Sequence, residues 1–155
     1  YLIIEYLTND YLNNFDSSTC YYEGIHFYST RGIRVFHVNS RLIKYAGTKN
    51  VFMNNNEYKL DEEVNYTTYA YSNTPSLSYE KNVPLYQLVS KKNEKLYGKR
   101  LASNNDLFVE NDIINSSTIS ASLKNNKFYD GSDFNYSITI DSLTFNQATL
   151  TVNII

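Results

Sequence analysis

The sequence predicts an all-β fold, an antiparallel sandwich, on three observations. Apolar and polar residues alternate in Tyr136-Ser137-Ile138-Thr139-Ile140 and in Thr149-Leu150-Thr151-Val152-Asn153-Ile154, the period of a strand with one face on a core. Turn-forming residues recur at intervals of about eight to twelve residues, the spacing of a sandwich or barrel. Aromatic residues make up 15% of the chain, as sixteen Tyr and eight Phe with no Trp, and tyrosine favours both pleated strands and contact surfaces.

In chain order, the opening residues 1–15 admit two readings. Leu2, Tyr6 and Leu12 would line a short helix, but the β-rich composition favours an edge strand. Further strands are expected at 24–29, 32–38, 41–46, 66–72, 84–89, 95–101 and 107–110. Between them stand turn formers: Thr30-Arg31-Gly32, Ala46-Gly47-Thr48, Asn54-Asn55-Asn56, Ser72-Asn73-Thr74-Pro75, Lys91-Lys92-Asn93, Asn104-Asn105 and Asp130-Gly131. Residues 136–140 and 149–154 should close the fold as adjacent antiparallel strands, with Ile138, Ile140, Leu150 and Val152 in one core. The more polar stretch 103–126 has room for longer loops or an insertion. No repeat, low-complexity tract or Pro/Gly-rich linker divides the 155 residues, so residues 1–155 are expected to form one domain.

Composition narrows the function. Hydrophobic residues at 42% and charged residues at 19% are values of a folded globular chain rather than a disordered one. The net charge of −2 and the lack of any basic run longer than a pair leave no broad phosphate-neutralising face, so nucleic acid is not an expected partner. Apolar runs such as Leu2-Ile3-Ile4 fall far short of the ~20 residues that cross a bilayer as a helix, so no membrane span is expected in this chain.

Residues able to do chemistry are few. Two histidines, His26 and His37, and the single Cys20 offer no metal-ligand spacing, although the histidines could meet across neighbouring strands. Cys20 with a histidine base lacks any nucleophile signature, and with no second cysteine it is expected to be a free thiol or an intermolecular link. Asp61-Glu62-Glu63 and Asp130 with Asp133 lie in polar, turn-like settings. Asp130-Gly131-Ser132-Asp133 is only a fragment of a calcium loop and suits a plain turn better. Five glycines form no phosphate cradle. Neither cofactor, metal site nor enzymatic activity is expected. Three sequons, Asn65-Tyr66-Thr67, Asn115-Ser116-Ser117 and Asn135-Tyr136-Ser137, permit glycosylation in a eukaryotic secretory pathway.

One order of short segments adds to this reading. Ile25-His26-Phe27-Tyr28-Ser29 followed by Ile33-Arg34-Val35 resembles the immunoglobulin-like accessory proteins of coronaviruses, above all the secreted SARS-related type. Leu42-Ile43, Ala46-Gly47-Thr48-Lys49, the Asn65 sequon, Tyr86-Gln87-Leu88 leading to Lys95-Leu96, Phe128-Tyr129-Asp130 and Leu150-Thr151-Val152 continue the resemblance in the same order. The family carries several cysteines, whereas this chain has Cys20 alone. Asn or Lys stands at the family's partner position shortly before Phe128, and Tyr45 and Ala70 fall near a second family bridge.

What the resemblance implies is a divergent viral relative with an immunoglobulin-like β-sandwich, secreted or held in the endoplasmic reticulum lumen, that binds host immune or quality-control proteins. A homo-oligomer is compatible with it, and Asn65, which matches the family's sequon, is the foremost glycan candidate. Binding is expected through an exposed sheet face or loop rich in tyrosine, because Tyr69, Tyr71, Tyr79 and Tyr86 cannot all fit one core face. A bacterial surface adhesin or fibre subunit with a β-sandwich fold is the alternative, and a carbohydrate-binding module or enzyme with stacking tyrosines a more distant one.

Overall fold

A computed structural model of the protein describes residues 1–10, 28–39, 42–44, 50–53, 56–59, 66–68, 85–96 and 101–155. Among the described residues there are ten strands: β1 (Leu2–Leu7), β2 (Gly32–Val38), β3 (Leu42–Lys44), β4 (Asn50–Met53), β5 (Asn56–Lys59), β6 (Tyr66–Thr68), β7 (Tyr86–Val89), β8 (Ile113–Ile114), β9 (Tyr136–Leu143) and β10 (Ala148–Ile154). Helix among the described residues is confined to two 3-10 turns, Asn104–Asp106 and Ser120–Ser122. The protein is all-β.

The chain forms two compact units, one of Tyr1–Val38 with Tyr86–Ile155, the other of Asn39–Leu85. In the second unit β3 pairs antiparallel with β6, and β4 pairs antiparallel with β5 from Asn50↔Lys59 to Met53↔Asn56. The first unit holds two three-stranded antiparallel sheets, ordered β1-β2-β7 and β10-β9-β8.

One core draws on both sheets of the first unit. Ile33 and Val35 of β2, Val89 of β7, Ile114 of β8 and Ile138 and Ile140 of β9 are buried together with Phe108, Ile119, Leu123 and Phe134. β2 shows why the sequence takes this form: in Gly-Ile-Arg-Val-Phe-His-Val every second side chain, Ile33, Val35 and His37, is buried on the core side. Its neighbours obey the same parity, since Leu2, Ile4 and Tyr6 of β1 pair with His37, Val35 and Ile33. Leu2, Ile4 and Tyr6 pack against that core. Residues 2–7 are thus a strand, as the composition favoured, and not a helix.

Gly32 is required where β2 begins. A Cβ there would lie 2.7 Å from Leu107 Cβ and 3.2 Å from the Phe108 carbonyl, so only the bare backbone lets Leu107 seat against Leu7 and Tyr28 in a second buried cluster. Stretch 103–126 supplies Leu107, Phe108, Ile114, Ile119 and Leu123 to the two clusters. Its buried Asp106 carboxylate accepts hydrogen bonds from Ser90 Oγ at 2.6 Å and from the Ser103 amide at 2.8 Å, holding the 3-10 turn to the end of β7.

The closing hairpin forms as its alternation predicts, with Leu150↔Ile140 and Val152↔Ile138 as cross-strand pairs and a bulge at Thr149/Leu150. Ile138 and Ile140 are buried and Leu150 packs on the core, but Val152 is corrected to an exposed position at 57%. Among the described residues β10 is the outer strand of its sheet, and beyond Leu150 none of them covers its core-side face. Two further expectations are also corrected. Lys95, Leu96 and Leu101 lie outside any strand, residues 97–100 being outside the described set. Of 107–110 only Phe108 pairs, in an isolated bridge to Ile33.

Candidate interaction face

The parity that buries Ile33, Val35 and His37 turns Arg34 and Phe36 to the opposite face of the β1-β2-β7 sheet. Register sets Glu5 beside Arg34, Ile3 beside Phe36, and Leu88 beside Phe36 on the other flank. Arg34 Nη2 lies 2.8 Å from Glu5 Oε2, and Arg34 Nε donates to the same oxygen at 2.9 Å. The guanidinium carbon stands 5.5 Å from the Tyr28 ring centroid and 5.3 Å from that of Phe36, within cation–π range of both. Phe36 stacks on Tyr86 with centroids 4.5 Å apart and planes 18° apart.

A ladder of two charged side chains and two aromatic rings, Glu5–Arg34–Phe36–Tyr86, therefore crosses three strands, with Ile3 and Tyr86 exposed on it. Desolvation against the sheet pushes the Tyr86 phenol above its ordinary pKa of 10.0, Arg34 opposing and Glu5 adding to the shift. At neutral pH the Tyr86 phenol is therefore protonated. Side chains already held by stacking and ion pairing lose little rotamer freedom on binding, which suits this face to protein contact.

The opposite side of β2 ends in a polar cluster instead. His37 is buried, its ring stacked parallel to Tyr129 at 5.0 Å and tilted against Phe128 at 5.3 Å. Its Nδ1–H donates to the Ser122 carbonyl at 2.7 Å, which specifies the tautomer. Burial lowers the His37 pKa from 6.5, outweighing the Ser122 carbonyl, which raises it. Gln87, the cross-strand partner of His37, donates from Nε2 to Ser122 Oγ at 3.4 Å. With its ring against Phe128 and Tyr129, His37 fills a buried position at the end of the core side of β2.

The other candidates fall in different places. Tyr86 is on the ladder; Tyr69, Tyr71, Tyr79, Asn65, Cys20 and His26 lie outside the described residues. Asn135 is exposed just before β9, its carbonyl accepting from the Ile155 amide. Asn115 is half-buried, its Oδ1 accepting from the amides of Ser117 and Thr118, both at 3.0 Å. Asp130 is engaged within its own turn, where Oδ1 accepts from the amide and hydroxyl of Ser132 at 2.9 and 2.6 Å. Ser132 donation holds the Asp130 carboxyl below its ordinary pKa of 3.8. Asp133 pairs with Lys127 at 2.8 Å. Among the described residues no group of three or more His, Cys, Asp or Glu is placed to hold a metal ion, and no helix is long and apolar enough to cross a membrane.

Sequence reasoning singled out Tyr86 but not Arg34, Phe36 or Glu5. The signal for the first two was present, since they alternate along one strand with the apolar Ile33 and Val35. Glu5 required the β1–β2 register, which no local pattern encodes. Comparison of the chain with protein-family models, curated proteins and solved structures found no match.

Proposed function

We propose that the chain is a non-catalytic, immunoglobulin-like binding domain of the secretory lumen or the extracellular space, a divergent relative of the coronavirus accessory proteins that engages host immune or quality-control proteins. The observation that carries the binding reading is the Glu5–Arg34–Phe36–Tyr86 ladder on the outer face of the β1-β2-β7 sheet. Tyrosine and arginine are the residues on which contact energy concentrates in protein interfaces, and here both are held in place before any partner arrives. The viral and secretory parts rest on the ordered resemblance from Ile25 to Val152 and on the three sequons.

The binding reading is tested by surface plasmon resonance of the immobilised chain against purified host immune-receptor ectodomains and luminal chaperones. At least one is expected to bind the parent chain and to lose binding to a Phe36→Ala/Tyr86→Ala double variant that keeps the parent's thermal midpoint. Failure of every probe to bind, or equal binding to the double variant, rejects the reading. The secretory part has its own test. Made in mammalian cells behind a signal peptide, the chain should carry a glycan at the exposed Asn135, read as a glycosidase-sensitive mass that Asn135→Gln removes. A chain unmodified at Asn65, Asn115 and Asn135 together would remove the support for a secretory life.

A further inference from the structure

Residues 124–133, Lys-Asn-Asn-Lys-Phe-Tyr-Asp-Gly-Ser-Asp, run between β8 and β9 and belong to neither three-stranded sheet. Leu123 and Phe134 anchor the two ends of this stretch in the core. Between the anchors the chain folds on itself. Lys124 and Lys127 exchange backbone hydrogen bonds at 2.9 and 3.0 Å across Asn125 and Asn126, both at positive φ, and the amides of Phe128 and Gly131 donate to the Ser132 and Phe128 carbonyls at 2.9 Å. Its two aromatic side chains, Phe128 and Tyr129, both rest on the ring of His37.

The ring that carries those contacts can change its charge. His37 is 2% exposed, and its Nδ1–H is given to the Ser122 carbonyl beside the Leu123 anchor. A second proton would place a cation in that setting, and the groups around it do little to receive one. Leu2 of β1 and Gln87 of β7, its cross-strand partners, carry no charge. On the other side stand Ser122, Phe128 and the phenol of Tyr129. Asp130, held by Ser132 in its own exposed turn, favours the proton but is the weakest influence on the ring, and the amino group of Tyr1 opposes it. Cation–π attraction from the two rings offsets only part of the cost, because desolvation of an ion is the larger effect.

A charged His37 can be relieved by movement of β2 or of the stretch that lies on it. β2 is paired on both sides, through six residues with β1 and four with β7, whereas the described bridges of residues 124–133 run only within the stretch. The stretch is therefore the part that yields. We infer that residues 124–133 are a flap latched shut by the neutral His37 ring, and that protonating His37 opens it while both sheets stay folded. Opening carries the buried Tyr129 and half-buried Phe128 into solvent, an aromatic surface that the protein does not present at neutral pH. Burial holds the latched ring below its ordinary pKa of 6.5, so the unlatched ring takes up its proton first and opening is favoured as pH falls below about 6.5. The latch lies on the core side of β2, opposite the Glu5–Arg34–Phe36–Tyr86 ladder, and does not rest on the binding reading.

Amide hydrogen exchange of the full chain, followed by NMR at about pH 7.5 and 5.5 and corrected for the intrinsic effect of pH on exchange, tests the latch. A hairpin parted from its support is marginal on its own, so the amides of Lys124, Lys127 and Phe128 should lose roughly tenfold in protection at the lower pH, the limit set by one proton titrating at about 6.5. The amides of Ile33 and Ile140, which donate to the Phe108 and Asp112 carbonyls, should keep theirs. His37→Gln, which cannot take the proton, should show the same flap protection at both pH values. So should His37→Phe, which keeps a ring for Phe128 and Tyr129 to rest on, and whichever variant folds decides should the other not. Loss of protection in the flap and the sheets together, no loss in the flap, or an equal loss in a His37 variant would overturn the inference.

Discussion

β2 and β10 carry nearly the same pattern and meet opposite fates. Both have seven residues in which apolar side chains mark one face, although β2 ends that face in His37 and adds Phe36 and Val38 on the other, yet Ile33 and Val35 are buried while Val152 and Ile154 stand in solvent. The difference is their place in the sheet. β2 has β1 on one side and β7 on the other, with the shared core over its inner face, whereas β10 has, among the described residues, a neighbour on one side and cover only as far as Leu150. Alternation thus tells which residues share a face; strand order tells whether the face is covered.

The most direct way to break that comparison is to make one substitution in both strands. Val35→Ala should cost about 2–3 kcal/mol, from two buried methyl groups and the space they leave, while Val152→Ala should stay within about 0.5 kcal/mol in urea unfolding at concentrations where the chain is monomeric. Equal costs would refute the claim that position in the sheet decides. Next in size is Gly32→Ala at the start of β2. A Cβ 2.7 Å from that of Leu107 forces a backbone shift and should cost about 1–3 kcal/mol in the same assay, and a neutral result would mean that the Leu107 contact gives way freely.

A smaller effect sharpens the comparison through pH, because β2 encloses a titratable group and β10 has none. His37 is held neutral below its ordinary pKa of 6.5, so as pH falls the unfolded chain takes up this proton before the folded one. Its contribution is full above about 6.5 and is lost progressively below it. The unfolding midpoint of the parent should therefore fall more steeply from about pH 7.5 to 5.5 than that of His37→Gln, and parallel slopes would remove His37 as a cause. The smallest effect belongs to the half-exposed Glu5–Arg34 pair. Glu5→Gln should cost at most about 1 kcal/mol, a difference that fades with added salt, and a larger, salt-independent loss would show that the pair is structural rather than superficial.

What could be read from the sequence follows the same division. β2 was legible to its end residues, 32–38, and the closing hairpin to within a few, because period-two patterns are local. β8 was not, since two residues make no pattern, and its strand character comes from pairing Ile114 with Ile138 across the chain. The expected strand at 95–101 is not formed at either described end, where Lys95, Leu96 and Leu101 lie outside any strand, because alternation alone does not supply a partner for these residues. Part of the candidate face was visible in Tyr86 and in the even positions of β2. The His37–Ser122–Tyr129 cluster was not, because it joins side chains more than eighty residues apart, a distance no local signal spans.

The excursion between β2 and β7 has a consequence for how such a chain can change over time. Val38 and Tyr86 are direct cross-strand partners, so Asn39–Leu85 departs from and returns to adjoining strand ends, taking the place of the short turn that would otherwise join an antiparallel pair. The register of β2 and β7 is held by their own four cross-strand pairs, Val35 to Val38 with Val89 to Tyr86, so a change of length within Asn39–Leu85 leaves that pairing in place.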